Sequence, residues 1–198
     1  MTKREKILQT AMNLFIDKGI QSTSTALIAK EAGVATGTLF HHFKTKEELV
    51  YALYNLIFDS LINFHKKHFR DDANAYERVR QLWYLNIEWG LKHTAYANFL
   101  ERYVFDYYAS AVAMEDAGKR FDYYINTIVD LISSNLTKCD NFEYVMNHFS
   151  WNMRMNGNYF IAHPELYSPE MLEKTFQIYW SGISNNTPDT MKNIKECL

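Results

Sequence analysis

Few side chains in this sequence are placed to do covalent chemistry. His41 and His42 are adjacent, and His65 and His68 stand three apart. Neighbours on a helix project about 100° apart, so His41 and His42 cannot easily share one metal ion. The His65/His68 spacing suits a ligand pair, but both lie in a Lys-rich segment, HKKH, and read as solvated. Cys139 and Cys197 are far apart and fit neither a disulfide framework nor a zinc spacing. A reducing cytoplasm is the expected compartment. Glu115-Asp116 reads as a solvated turn, and no Ser-His-Asp, Cys-His or phosphate-loop pattern is present. No catalytic residue, metal or cofactor is therefore expected. The chemistry that the residues do suit is the gripping of phosphate. Thr45-Lys46-Glu47-Glu48 forms a capping box, with Thr45 as N-cap and Glu48 three residues on. Lys46 then opens a helix where the macrodipole disfavours a cation. An anion at that spot would be held by the helix N-terminus and by Lys46 together.

The stretch Thr25–Lys46, TALIAKEAGVATGTLFHHFKTK, positions these groups. It predicts two short helices around a glycine turn, followed by the capped start of a long helix. Ile28, Ala29 and Ala32 give the first helix a small apolar face. Gly33 supplies the positive φ that a tight inter-helix turn uses, and Val34 plugs the corner. In the second helix Leu39 and Phe43, four apart, face inward. Thr36, Gly37, Thr38, Phe40 and His41 stay outward. They form a short, mostly polar surface near the helix start, of the kind a recognition helix presents to the major groove of DNA. This surface lacks Arg, Asn and Gln, which read bases bidentately, so phosphate contact is expected to outweigh base readout.

Residues 7 to 50 resemble the DNA-binding domain of the TetR family of bacterial transcriptional repressors. The resemblance is carried by Ile7, Leu8, Ala11, Leu14, Phe15 and Gly19, then Thr25, Ile28, Ala29, Ala32, Gly33 and Val34. It continues through Gly37, Thr38, Leu39, His42, Phe43, Lys46, Glu47 and Leu49. It implies an all-helical homodimer whose head is followed by a variable ligand-binding body. It also implies that Thr25 and His42 touch phosphate. Two departures stand out: Ala35 replaces a capping serine, and Phe40 replaces a tyrosine hydroxyl. Phe40 is left either to contact a thymine methyl or to pack on a neighbouring helix. Lys3, Arg4 and Lys6 either reach the DNA backbone or are ordinary solvated cations.

Composition agrees with a folded helical chain. The sequence is 47% hydrophobic and 22% charged, and its three prolines all fall at or after Pro164. The charged start MTKREKIL is not a signal peptide, and no apolar run approaches the ~20 residues a membrane span requires. Charge is asymmetric. Residues 1–70 hold ten Lys/Arg against six Asp/Glu, a net +4, and the remainder a net −6. Only the N-terminal end is suited to phosphate.

The expected organisation is a helix-turn-helix head over 1–46, a connecting helix over 47–70, and a ligand-binding and dimerisation body over 71–198. About nine helices are expected, the first from Lys3 to Lys18. The connecting helix runs on to about Phe69, roughly 35 Å at the helical rise, and can couple head and body as one lever. The body helices are placed at about 75–92, 96–107, 119–136, 140–162 and 169–182, with Asp140 and Ser168 as N-caps of the last two.

Twenty-three of thirty-one aromatic residues lie beyond residue 70. Such a body suits either a packed core or an adaptable pocket for a bulky apolar or amphipathic ligand. The family analogy places that pocket among the fourth to eighth helices, which makes Trp89, Phe99, Tyr103, Tyr107, Tyr124, Phe149 and Met153 its candidate lining. The eighth and ninth helices would pair with their copies in a homodimer, though their apolar residues serve a monomer core equally well. Together these readings describe a repressor that binds a palindromic double-stranded operator and is released by a small molecule. A DNA binder with a solid, ligand-independent body is the alternative.

Overall fold

Thr2 begins the chain's first helix with a reciprocal cap. Its Oγ accepts from Glu5 N (3.2 Å), and Glu5 Oε2 accepts from Thr2 N (2.9 Å). The computed structural model describes residues 1–107 and 122–185. Among the described residues the chain is all-α: nine α-helices, one short 3-10 turn at Pro164–Leu166, and one isolated β-bridge between Thr137 and Ser184.

Helix α1 (Lys3–Lys18) buries Ile7, Leu8, Ala11, Met12 and Phe15. It stops at Gly19, whose φ is 85°. Leu14 is only half-buried; Leu8 and Met12 share the inward face with Phe15. Helices α2 (Thr25–Glu31) and α3 (Thr36–His42) lead into α4 (Lys46–His68), as the spacing predicts. Next come α5 (Ala75–Lys92), α6 (Thr94–Tyr107), α7 (Asp122–Ser133), α8 (Phe142–Ala162) and α9 (Pro169–Ile183).

Some boundaries differ from the sequence reading. α6 starts two residues early, because Tyr96 N and Ala97 N both donate to His93 O. The expected 119–136 helix ends at Ser133, where Asn135 turns into the left-handed region (φ 53°) and Leu136 N donates back to Leu131 O. Its proposed start, 119–121, lies outside the described residues. The N-cap of α8 is Asn141, whose Oδ1 accepts from Tyr144 N at 2.9 Å, and not Asp140. At α9, Ser168 is the N-cap as expected, and Pro169 fills N1.

The described residues form two compact units. The first takes residues 1–63 and 92–107, so α6 belongs to the same unit as the head. Its core is Ile7, Phe15, Ile28, Leu39, Phe43, Leu49, Leu53, Ile57 and Phe99. Phe99 meets Phe15 of α1, and Tyr103 stacks on Tyr54 of α4 with ring centres 4.6 Å apart. Arg102 Nη2 donates to Ile16 O.

The second unit takes residues 64–91 and 122–185. Trp83 lies at its centre against Phe149, Phe176 and Tyr179. Polar groups staple its helices: Arg78 pairs with Asp130, and Glu173 accepts from Arg80 Nε (2.9 Å), Tyr84 OH and Gln177 Nε2 (2.6 Å). No helix among the described residues is long and apolar enough to cross a membrane.

Candidate nucleic-acid interface

The turn between α2 and α3 is built as the glycine implies. Gly33 adopts φ 65°, Gly33 N donates to Lys30 O (3.1 Å), and Val34 N donates to Ala29 O (3.0 Å). Ser24 caps α2 by accepting from Leu27 N (3.2 Å). Thr23, which sequence reasoning passed over, is fully buried. Its hydroxyl donates to Gly19 O at 2.8 Å and so pins the α1–α2 loop. A threonine flanked by serines carries no local signal of burial.

Leu39 and Phe43 point into the core, with relative exposures of 0% and 2%. The opposite face of α3 is open: Thr36, Gly37, Phe40 and His41 are exposed, while Thr25, Thr38 and His42 are half-buried. Phe40 is 40% exposed. Part of its ring is therefore open to solvent, while the rest is covered by the head. Nothing lies within 4 Å of a Cβ built at Gly37, so the groove face has open space there. Ala35 provides no side-chain cap to α3. The His41 and His42 rings meet edge to face with centres 5.4 Å apart. Among the described residues no cluster of His, Cys, Asp or Glu could hold a metal ion.

The α4 start carries the capping box with one change. Thr45 Oγ accepts from Glu48 N (3.1 Å), but Glu48 Oε2 reaches past the cap to accept from Lys44 N (2.6 Å). Lys46, half-buried at the first helical position, donates from Nζ to Gln21 O at 3.2 Å. Its ammonium is thus held beside the α1–α2 loop. Arg4, on the first turn of α1, lies over the Phe43 ring at 5.2 Å, so a second cation stands next to the α3–α4 junction. Thr25, Thr36, Gly37, Phe40, His41, His42 and Lys46 are all in one unit, on α2, α3 and the start of α4. This arrangement offers hydroxyls, an imidazole and helix N-termini to phosphate, and a ring and small side chains to base edges.

The seven residues expected to line a body pocket divide between the units. Phe99 and Tyr103 lie in the first, where Phe99 meets Phe15 of α1 and Tyr103 stacks on Tyr54 of α4. Trp89, Tyr124, Phe149 and Met153 belong to the second. Tyr124 packs against Phe149 (5.9 Å between ring centres), and its hydroxyl contacts Met153 Sδ at 3.3 Å. Tyr107 ends α6, but its side chain lies outside the described residues.

His65 corrects the sequence reading outright. It is 1% exposed rather than solvated, because within the second unit its ring packs against Tyr123 and Tyr124. Burial, with His68 adding repulsion, lowers its pKa to about 4. His68 is exposed and donates from Nδ1 to Phe64 O.

Residues 7–53 match the family model for bacterial regulatory proteins of the tetR family. The HTH-type transcriptional repressor KstR2 of Mycolicibacterium smegmatis is 30% identical over 87 residues, covering 44% of this chain and 42% of that protein. An HTH-type transcriptional regulator of Staphylococcus aureus strain USA300 is 37% identical over 79 residues, 40% of this chain and 42% of its own. The chain thus matches less than half the length of these curated relatives. The crystal structure of a tetR family transcription regulator from Shewanella sp. PV-4 is similar over 94% of this chain and all of that one, at 26% identity and a TM-score of 0.83. A matching head and a fold shared over 94% of the chain lead to one conclusion: residues 7–53 are a DNA-binding head of the tetR family, carried on a chain with the fold of a tetR family regulator.

Proposed function

We propose that the protein is a homodimeric DNA-binding transcriptional repressor whose grip on a palindromic operator is released by a bulky apolar or amphipathic small molecule. The observation that carries the DNA reading is the α2–turn–α3 geometry. Its inward face is fully buried, its outward face is unobstructed, and two cations flank the α3–α4 junction. Residues 1–46 supply the DNA contacts. Thr25, His42 and Lys46 grip phosphate, while Thr36, Gly37, Thr38, Phe40 and His41 face the groove. A phosphate arriving at the α4 N-terminus takes the Lys46 ammonium from the weaker Gln21 carbonyl.

A two-fold dimer reads two half-sites roughly 34–36 Å apart. The surface proposed to pair the copies is the outer face of α8 and α9. Tyr144, Trp151, Met155 and Tyr159 recur at helical spacing along α8, and Ile178 on α9 is 74% exposed. The effector reading places the ligand in the aromatic body, with α6 as the transmitter, since α6 packs against α1 of the head. A ligand acts only through its different affinity for the two head arrangements.

The test is selection of duplexes from a random library by the full chain, expected to enrich an inverted repeat. Lys46→Ala is expected to weaken binding and to reduce the salt slope by about one per head. No enriched duplex overturns the DNA reading; an unchanged affinity and slope overturn the Lys46 clamp. Identical operator affinity with every compound that measurably binds the protein overturns release by ligand and leaves the ligand-independent DNA binder.

A further inference from the structure

The core of the second unit is mainly apolar and aromatic, and His65 is the most deeply buried histidine in it. It sits near the C-terminal end of α4, 1% exposed, with its ring stacked on Tyr124 (interplanar angle 10°) and edge-on to Tyr123. Its Nδ1 is 2.9 Å from the Tyr123 hydroxyl. Its Nε2 is buried and has no hydrogen-bond partner. The neighbouring Tyr124 hydroxyl meets Asn86 Nδ2 of α5 and Met153 Sδ of α8. Four helices thus bring polar atoms to one spot inside an apolar body.

The direction of the His65–Tyr123 bond follows from its chemistry. A phenol is a good donor and a weak acceptor, and an imidazole nitrogen is a good acceptor, so Tyr123 OH donates to Nδ1. The single proton of the neutral imidazole then resides on Nε2. A buried N–H with no acceptor is expensive, and such an atom is the complement of an oxygen the folded chain itself does not provide.

We propose that His65 Nε2–H, oriented by Tyr123 and backed by the Tyr124 ring, is the polar anchor for a carbonyl oxygen on a neutral, otherwise apolar ligand. Resting on the effector-responsive reading, it names the class of effector. An ionised acid is disfavoured, because it would be stripped of water among Phe149, Tyr124 and Phe69 without a paired charge. A ligand that offers only a donor finds no acceptor on Nε2. Met153, unbranched and easily repacked, is the side chain in the cluster best able to move aside for such a ligand.

The test uses the full chain and prodan, a neutral naphthyl ketone whose emission moves to longer wavelength when its carbonyl accepts a hydrogen bond. Its hydrocarbon control is 2-ethylnaphthalene. Wild-type protein is expected to bind prodan about tenfold more tightly than His65→Phe does, the worth of one neutral hydrogen bond, with the hydrocarbon bound alike by both. Equal prodan affinity in the two proteins, or no prodan binding by the wild type, overturns the proposal. A second measurement needs no variant: nitrogen-15 NMR of labelled wild type is expected to show the His65 proton on Nε2, and a proton on Nδ1 overturns the assignment. The duplex selection is read independently of both, so its failure sinks the regulator reading while leaving these outcomes legible.

Discussion

Acid should unfold this protein through His65. In the folded chain its pKa is lowered to about 4 by burial, with His68 contributing, against 6.5 for a free histidine. Between those values the unfolded chain takes up a proton that the folded chain refuses. The stability derived from keeping His65 neutral is therefore complete at neutral pH and is lost as pH falls from about 6.5 toward 4. The full shift corresponds to roughly 3 kcal/mol, of which about 2 kcal/mol is lost by about pH 5. For a chain of this size that is a fall of about 4–8 °C in Tm. The assay is urea unfolding of wild type and His65→Gln from about pH 7.5 down to pH 5. Subtracting one protein from the other cancels the remaining histidines. The stability advantage of wild type over His65→Gln is expected to shrink by about 2 kcal/mol across that range. An advantage that stays constant with pH refutes the buried, neutral state of His65.

Other substitutions probe the head and the dimer. Gly33→Ala finds open space around its new Cβ but keeps φ near 65°, so it should cost about 1–2 kcal/mol in thermal stability through backbone conformation alone. Phe99→Ala removes a fully buried ring from the α1–α6 contact and is expected to destabilise by about 3–5 kcal/mol in chemical denaturation. Ile178→Asp alters a side chain that is 74% exposed. It should change monomer stability by less than about 0.5 kcal/mol while abolishing the proposed dimer in sedimentation, and a dimer that persists would remove α9 from the proposed interface.

The sequence was most legible where structure is local. Gly33, Thr45 and Ser168 act within a few residues of themselves, and the turn and helix starts they specify appear where the sequence places them. The Thr2–Glu5 capping box is equally local. Asp140 and Asn141 are both good caps on propensity, and only the path of the chain chooses Asn141. What could not be read was long-range. Whether a histidine in HKKH is solvated depends on Tyr123, 58 residues later. Phe99 and Tyr103 were legible only by residue type, and the rings they meet on α1 and α4 lie far away in the sequence.

The membership of α6 in the first unit also governs the order in which the protein can be made. The bond from Arg102 to Ile16 closes a loop of 86 residues, and Phe15 obtains its cover from Phe99 only when that loop closes. A chain emerging from the ribosome completes α1 to α4 early, yet leaves the back of α1 bare until α5 and α6 have followed. A head cut out after residue 70 would present that same bare strip to solvent permanently. The part of the molecule that is first in sequence is thus completed only after α6 has been made.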